Sequence, residues 1–153
     1  MSKKHTHNNG HEAKHEHELP HSVKVLIWDP EADLVLVLLK KAGDCHLKPD
    51  LPGGSRNHEE SVANALAREV LEETGLVLGE SSDSPNEHNG RALYVNKVPL
   101  RGLDVRLSSE HEGAMLVPLC ELSDWFKDTH WHNLVETAVN EINGSRAPAA
   151  LAA

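Results

Sequence analysis

Glu69, Glu72 and Glu73 stand at spacings of three and four within the run Arg-Glu-Val-Leu-Glu-Glu-Thr-Gly, residues 68–75. On a helix turning about 100° per residue, these carboxylates converge on one stripe. Like charges so placed cost roughly a few tenths of a kcal/mol per neighbouring pair. A hard divalent cation reverses that sign, because Mg²⁺ and Mn²⁺ take carboxylates, carbonyls and water and commonly share their shell with phosphate oxygens. Gly53 and Gly54, just before the helix, permit close approach of backbone, so the Gly53 carbonyl is a further candidate ligand. Taken alone, three glutamates on a surface helix are more readily a solvated face than a metal site. The surrounding sequence has to decide.

The helix that carries them is predicted over residues 58–74. Val62, Ala63, Leu66, Ala67 and Val70 form its apolar stripe, Asn57 and Glu60 resemble a capping box, and Gly75 supplies the left-handed stop. Upstream, two nearly continuous apolar runs at residues 22–29 and 34–41 flank a Pro-Glu-Ala-Asp turn, the signal for two strands covered on both faces. The stretch AGDCHLKPDLPGG reads as a loop, as do the polar residues 79–91. ALYVNKVPL, LDVRLS and GAMLVPL read as strands, and CELSDWF as a helical turn. Trp131, Leu134, Val135, Ala138, Val139 and Ile142 recur at three and four, predicting a helix over residues 130–143 that Gly144 stops. Strands, helix, strands, helix make an α+β domain, an α/β/α sandwich with a mixed sheet between helices.

At 153 residues the chain is one domain's worth. Residues 1–21 carry six of the twelve histidines and almost no apolar side chain, a composition that predicts a disordered tail; its paired histidines suit adventitious Zn²⁺ or Ni²⁺. Residues 22–143 form the domain, and residues 144–153 a flexible C-terminal tail. Cys45 and Cys120 make no CxxC and read as small hydrophobes. No apolar run approaches the roughly 20 residues of a membrane span, and no secretory signal precedes the domain, so the expectation is a soluble cytoplasmic protein without membrane contact. A net charge of −9 argues against a nucleic-acid duplex as partner. The oligomeric state stays open, a homodimer included.

The whole spacing is more specific than the glutamates alone. Gly54, five residues, Glu60, seven residues, then Arg68-Glu69-Val70-Leu71-Glu72-Glu73-Thr74-Gly75-Leu76 fits every fixed position of the Nudix box. The chain therefore resembles the Nudix hydrolases, over roughly residues 22–143. That resemblance implies a pyrophosphohydrolase, using Mg²⁺ or Mn²⁺, that cleaves a small-molecule nucleotide or nucleoside diphosphate derivative by attack of water on phosphorus. A non-hydrolytic nucleotide-binding module of the same fold is the alternative.

By the same resemblance, Gly53, Glu69, Glu72 and Glu73 would hold metal, Arg68 would hold the glutamates in place, and Glu60 would be a structural partner. The general base is open between Glu69, Glu110 and Glu112. His111, between the last two, reads as a solvated loop histidine more readily than as a contributor. Tyr94 lies near where diadenosine polyphosphate hydrolases of the family carry a tyrosine, which makes it the candidate substrate contact.

Overall fold

The computed structural model describes residues 19–43, 46–79 and 85–146. The first apolar run forms β1 (Ser22–Asp29), in which every residue from Val23 onward is buried, and the second forms β2 (Leu34–Ala42). Further strands are β3 (His46–Asp50), β4 (Gly53–Ser55), β5 (Asn86–His88), β6 (Arg91–Lys97) and β7 (Gly113–Pro118). They build one mixed sheet of order β3-β2-β1-β6-β5, with β4 added on β1 and β7 on β2. β1 and β6 run parallel, from Ser22 opposite Arg91 to Trp28 opposite Lys97, and the other pairs are antiparallel.

Alternation along the central strands divides the core between two helical layers. Val23, Val25 and Ile27 of β1, with Leu36 and Leu38 of β2, pack against α1 (Val62–Thr74). Leu26, Trp28, Val35 and Val37 face the opposite way, against α3 (His132–Ser145) and the short α2 (Leu122–Trp125), which follows a 3-10 turn at Leu119–Glu121. This is the expected α+β sandwich.

Local differences have identifiable causes. α1 starts at Val62, with Ser61 as its cap accepting from the Asn64 N–H at 3.1 Å. Glu60 does reach back to the Asn57 N–H, also at 3.1 Å, but Glu59 is left-handed and breaks the continuation into a helix. The buried face of α1 holds Ala65, Leu66, Val70, Glu73 and Thr74, whereas Ala63 and Ala67 are exposed. An alanine fits either face, so Leu66 and Val70 fix the rotation, and it carries Glu73 inward.

β3 and β4 lie inside the stretch expected as a loop, because their pairing with β2 and β1 compensates for a sequence with little strand propensity; Pro49 is tolerated within β3. β5 likewise falls within the expected 79–91 loop. The run LDVRLS is not a strand. Its amides serve the end of α1, Arg106 N–H donating to Thr74 O at 2.8 Å and Ser108 N–H to Glu73 O at 3.2 Å. Gly144 remains helical, and α3 ends at Ser145. A glycine stops a helix only by going left-handed, and this one does not.

Most of the expected N-terminal tail lies outside the described residues, but Pro20 is buried, and His21 exchanges backbone bonds with Gly90 and Arg56. The expected C-terminal tail is helical through Ser145, and its residues 147–153 lie outside the description, as does Cys45. Cys120, read as a small hydrophobe, is exposed. Among the described residues, no helix is long and apolar enough to cross a membrane.

Candidate functional site

Gly53 fixes the floor of the site. β4 lies on β1 with Gly53 opposite Lys24, and at φ 136° Gly53 brings backbone against backbone. That turn sits over the last turn of α1, where the Gly53 N–H points to Glu73 Oε2 at 3.4 Å. Gly75, at φ 73°, returns its N–H to Leu71 O at 2.9 Å and closes the helix, as its sequence position predicts.

Glu73 is 3% exposed. Burial pushes its carboxyl up to about 8, with the charges of Asp50 and Glu69 adding to the rise and Lys24 and the Gly53 amide opposing it. Between pH 4.5 and 8 the folded, metal-free protein therefore holds a proton that the unfolded chain has released. Stability must fall as pH rises through that window. The expected loss is on the order of 3 kcal/mol between pH 5 and 8, read as the difference between wild type and Glu73→Gln in urea titrations with chelator present. A pH-independent difference would contradict this placement of Glu73.

Arg68 organises the other carboxylates. Its Nε and Nη2 donate to the two oxygens of Glu60 at 2.9 and 2.8 Å, its Nη1 to Glu69 Oε1 at 3.1 Å, and Nη2 also to Ser55 O at 3.2 Å. The hydrogen bonds from Arg68, aided by the Asn57 amide, lower the Glu60 carboxyl to about 2, and those carboxylates in turn raise the guanidinium. Glu72 Oε2 lies 3.6 Å from Arg68 Nη1 with its side chain 58% exposed, on the solvent side of the cluster.

The Glu69 carboxylate is fitted against Gly54: a Cβ there would lie 2.7 Å from Glu69 Cδ and within 2.9 Å of both oxygens. Because the obstruction is the end of a flexible side chain, Gly54→Ala should change stability by less than about 1 kcal/mol. By moving the carboxylate, it should lower kcat at least about tenfold. Kinetics and thermal melting of the same preparation separate the two effects.

Gly53, Gly54, Glu69 and Glu73 line a polar cleft of about 350 Å³, and Glu60, Arg68 and Glu72 stand outside its lining. Asp50, Glu69, Glu73 and Glu110 bring carboxyl groups to the cleft, and Lys24 and Lys40 bring amines. Lys24 Nζ donates to Asp50 Oδ1 at 2.6 Å and to Leu51 O at 2.9 Å, and lies 5.7 Å from the centre of the Trp131 ring. Burial pushes the Asp50 carboxyl up, but the Lys24 charge and the hydrogen bond from His111 outweigh it, and the carboxyl ends below its usual range.

The cleft thus brings together Gly53, Glu69, Glu73 and Glu110, with Glu72 reached through Arg68. Glu112 is exposed and outside the cleft lining; its N–H donates to Leu39 O at 2.8 Å. Tyr94 is also outside that lining, half-buried in the α1-side core, where burial raises its phenol. Strand alternation turns it into the layer with Val23 and Val25. His111, read as a solvated loop residue, is buried because Asp50 offers its Nε2 a partner at 2.8 Å. Sequence reasoning missed Lys24, Asp50 and Lys40. Lys24 was findable as the lone charge inside the apolar run SVKVLIW.

The donor set suits a hard divalent cation. Glu69 and Glu73 are carboxylates at one cleft, Gly53 adds backbone beside them, and the buried Glu73 lacks a counter-charge sufficient to keep it ionised. Among the described residues, no three His, Cys, Asp or Glu side chains group closely enough to hold an ion by themselves. Such an ion would draw the rest of its shell from carbonyl, water and phosphate, the usual preference of Mg²⁺.

The NUDIX domain model matches residues 18–138. Among solved structures, the chain is similar to the MutT protein of Methanosarcina mazei Go1 at 27% identity, TM-score 0.57, covering 82% of this chain and 97% of that one. It shares its fold with the E. coli ORF135 protein, at 21% identity and TM-score 0.60 over 83% and 93% of the two chains. It also shares it with a C. elegans Ap4A hydrolase, at 18% identity and TM-score 0.61 over 80% and 98%. Comparison with curated proteins gives no match.

Proposed function

Because the chain belongs to the Nudix family of hydrolases, we propose that it is a divalent-metal-dependent pyrophosphohydrolase opening a pyrophosphate linkage in a nucleotide or nucleoside diphosphate derivative. The observation that carries this reading is Glu73, buried beside Glu69 and a backbone amide at the floor of a polar cleft. A carboxyl so placed weakens the free protein, and a cation with phosphate accounts for it.

Gly53, Glu69, Glu72 and Glu73 are the proposed ligands of Mg²⁺ or Mn²⁺. Bound there, the cation would neutralise charge growing on phosphate oxygens and acidify the attacking water. Arg68 holds Glu69 and Glu72 toward that position. Glu110 is the proposed acceptor of the water's proton, since it lines the cleft and Glu112 does not; Glu69 is the alternative. Lys40, exposed on the same cleft, supplies a positive charge for a phosphate group. Tyr94 is left out of the proposed substrate contacts because it packs in the α1-side core. The acidic surface favours a small-molecule partner over a nucleic-acid duplex, and a cytoplasmic location fits this chemistry.

The test is a panel of nucleoside triphosphates, sugar nucleotides, dinucleotides and dinucleoside polyphosphates, each with Mg²⁺, Mn²⁺ or chelator. Product is expected only in the metal arms. Nucleotide-dependent melting shifts with no product across the panel would instead favour the non-hydrolytic binding module.

A further inference from the structure

Beside the carboxylates, the cleft holds one group that neither metal binding nor stability explains. The His111 side chain is 2% exposed, and its Nδ1 is buried without a hydrogen-bond partner among the described residues. Its Nε2 meets Asp50 Oδ2 at 2.8 Å. Asp50 is itself fixed, since Oδ1 accepts from Lys24 Nζ at 2.6 Å and from the Leu51 N–H at 3.0 Å. A carboxylate held ionised by Lys24 can only accept, so Nε2 is the donor, and in the neutral ring Nδ1 is a bare acceptor. Buried polar atoms are nearly always paired. An apolar side chain would fill this space without leaving an orphan, so packing alone does not account for the imidazole.

What the ring does hold is the turn that presents Glu110. His111 is the one buried residue of the segment 108–112. The remaining tethers there start from backbone amides: Ser108 N–H to Glu73 O at 3.2 Å ties the start of the segment to α1, and Glu112 N–H to Leu39 O at 2.8 Å ties its end to β2. Glu110 N–H reaches only the Ser108 side-chain Oγ, at 3.3 Å. Asp50 also precedes the Leu51-Pro52-Gly53 turn, whose Leu51 carbonyl is bound by the same Lys24 at 2.9 Å. One carboxylate therefore sets the Gly53 turn and the Glu110 turn in register.

We propose that His111 is a positioning residue: by donating Nε2–H to Asp50, it fixes the Glu110 carboxylate relative to the carboxylates of α1. The proposal rests on the hydrolase reading above, in which Glu110 takes the proton from water.

The test uses full-length His111→Leu and His111→Gln, each alone and combined with Glu110→Gln. The readouts are steady-state kinetics on a panel substrate, Mn²⁺ titration calorimetry, and amide hydrogen exchange of residues 108–112. His111→Leu is expected to lower kcat about 10- to 50-fold, with KM and Mn²⁺ affinity within about twofold, because it misplaces one group without removing a ligand. His111→Gln, whose amide can still donate to Asp50, should recover to within about threefold of wild type. In the Glu110→Gln background, His111→Leu should add less than about twofold, since residues acting as a unit are not additive. Exchange in residues 108–112 should accelerate while that of α3 is unchanged.

Wild-type kcat in His111→Leu or in Glu110→Gln, full additivity, or unaltered exchange in residues 108–112 would each overturn the proposal. A wild-type protein that turns over nothing with either metal defeats the hydrolase reading instead, and the exchange measurement still decides whether His111 anchors the turn.

Discussion

Glu69→Gln should lower kcat by about two to three orders of magnitude, the range seen when one preorganised electrostatic group is removed from a catalytic site, while the protein still melts cooperatively. The substitution keeps the shape that fits against Gly54 and removes the charge. Arg68 loses one ionised partner at 3.1 Å but keeps both of its bonds to Glu60, so α1 remains tied to the turn before it. Glu60 lies outside the residues that line the cleft, which is why the structural and chemical halves of the cluster can be separated.

The loss should fall on kcat/KM at every metal concentration if Glu69 takes a proton. If Glu69 serves as a ligand, part of the loss should return at high Mn²⁺. Activity within threefold of wild type in both regimes would remove Glu69 from the site altogether.

The carboxylate cluster was legible because it combines two periodicities, the helical spacing of Glu69, Glu72 and Glu73 and the fixed offsets to Glu60 and Gly54. The apolar runs of β1 and β2 were legible for a similar reason, since strands buried on both faces read as continuous hydrophobic sequence. What escaped depends on tertiary pairing. β3 and β4 have poor strand sequences and exist through their hydrogen bonds to β2 and β1. LDVRLS has a good strand sequence, yet its amides are drawn to the carbonyls of Glu73 and Thr74. The cleft's second wall escaped for the same reason: Lys24, Asp50 and His111 are far apart in sequence, and each alone looks like an isolated charge or a loop histidine. Even the inward rotation of Glu73 is a packing result, because the alanines of α1 leave the helix face undetermined.

The adjacent glycines Gly53 and Gly54, just before and at the start of the Nudix box, should respond in opposite ways, and Gly53→Ala gives the larger effect on folding. A Cβ on Gly53 would stand 2.1 Å from Val23 O and 2.6 Å from Lys24 Cα, at a φ of 136° that side-chain-bearing residues rarely adopt. Unlike the Glu69 carboxylate facing Gly54, these obstacles are backbone atoms of the buried central strand and have nowhere to go. Relief requires β4 to lift from β1, which breaks the pairing of Gly53 with Lys24 and takes the amide away from Glu73. Backbone strain of about 1–3 kcal/mol adds to that clash. A total near 5 kcal/mol, a large share of a typical domain's stability, should leave Gly53→Ala substantially unfolded at 37 °C. Urea titration and near-ultraviolet circular dichroism would detect this before any activity is measured. If Gly53→Ala instead folds with near-wild-type stability, β4 does not press on β1 as described, and the geometry assigned to Glu73 beneath it fails too.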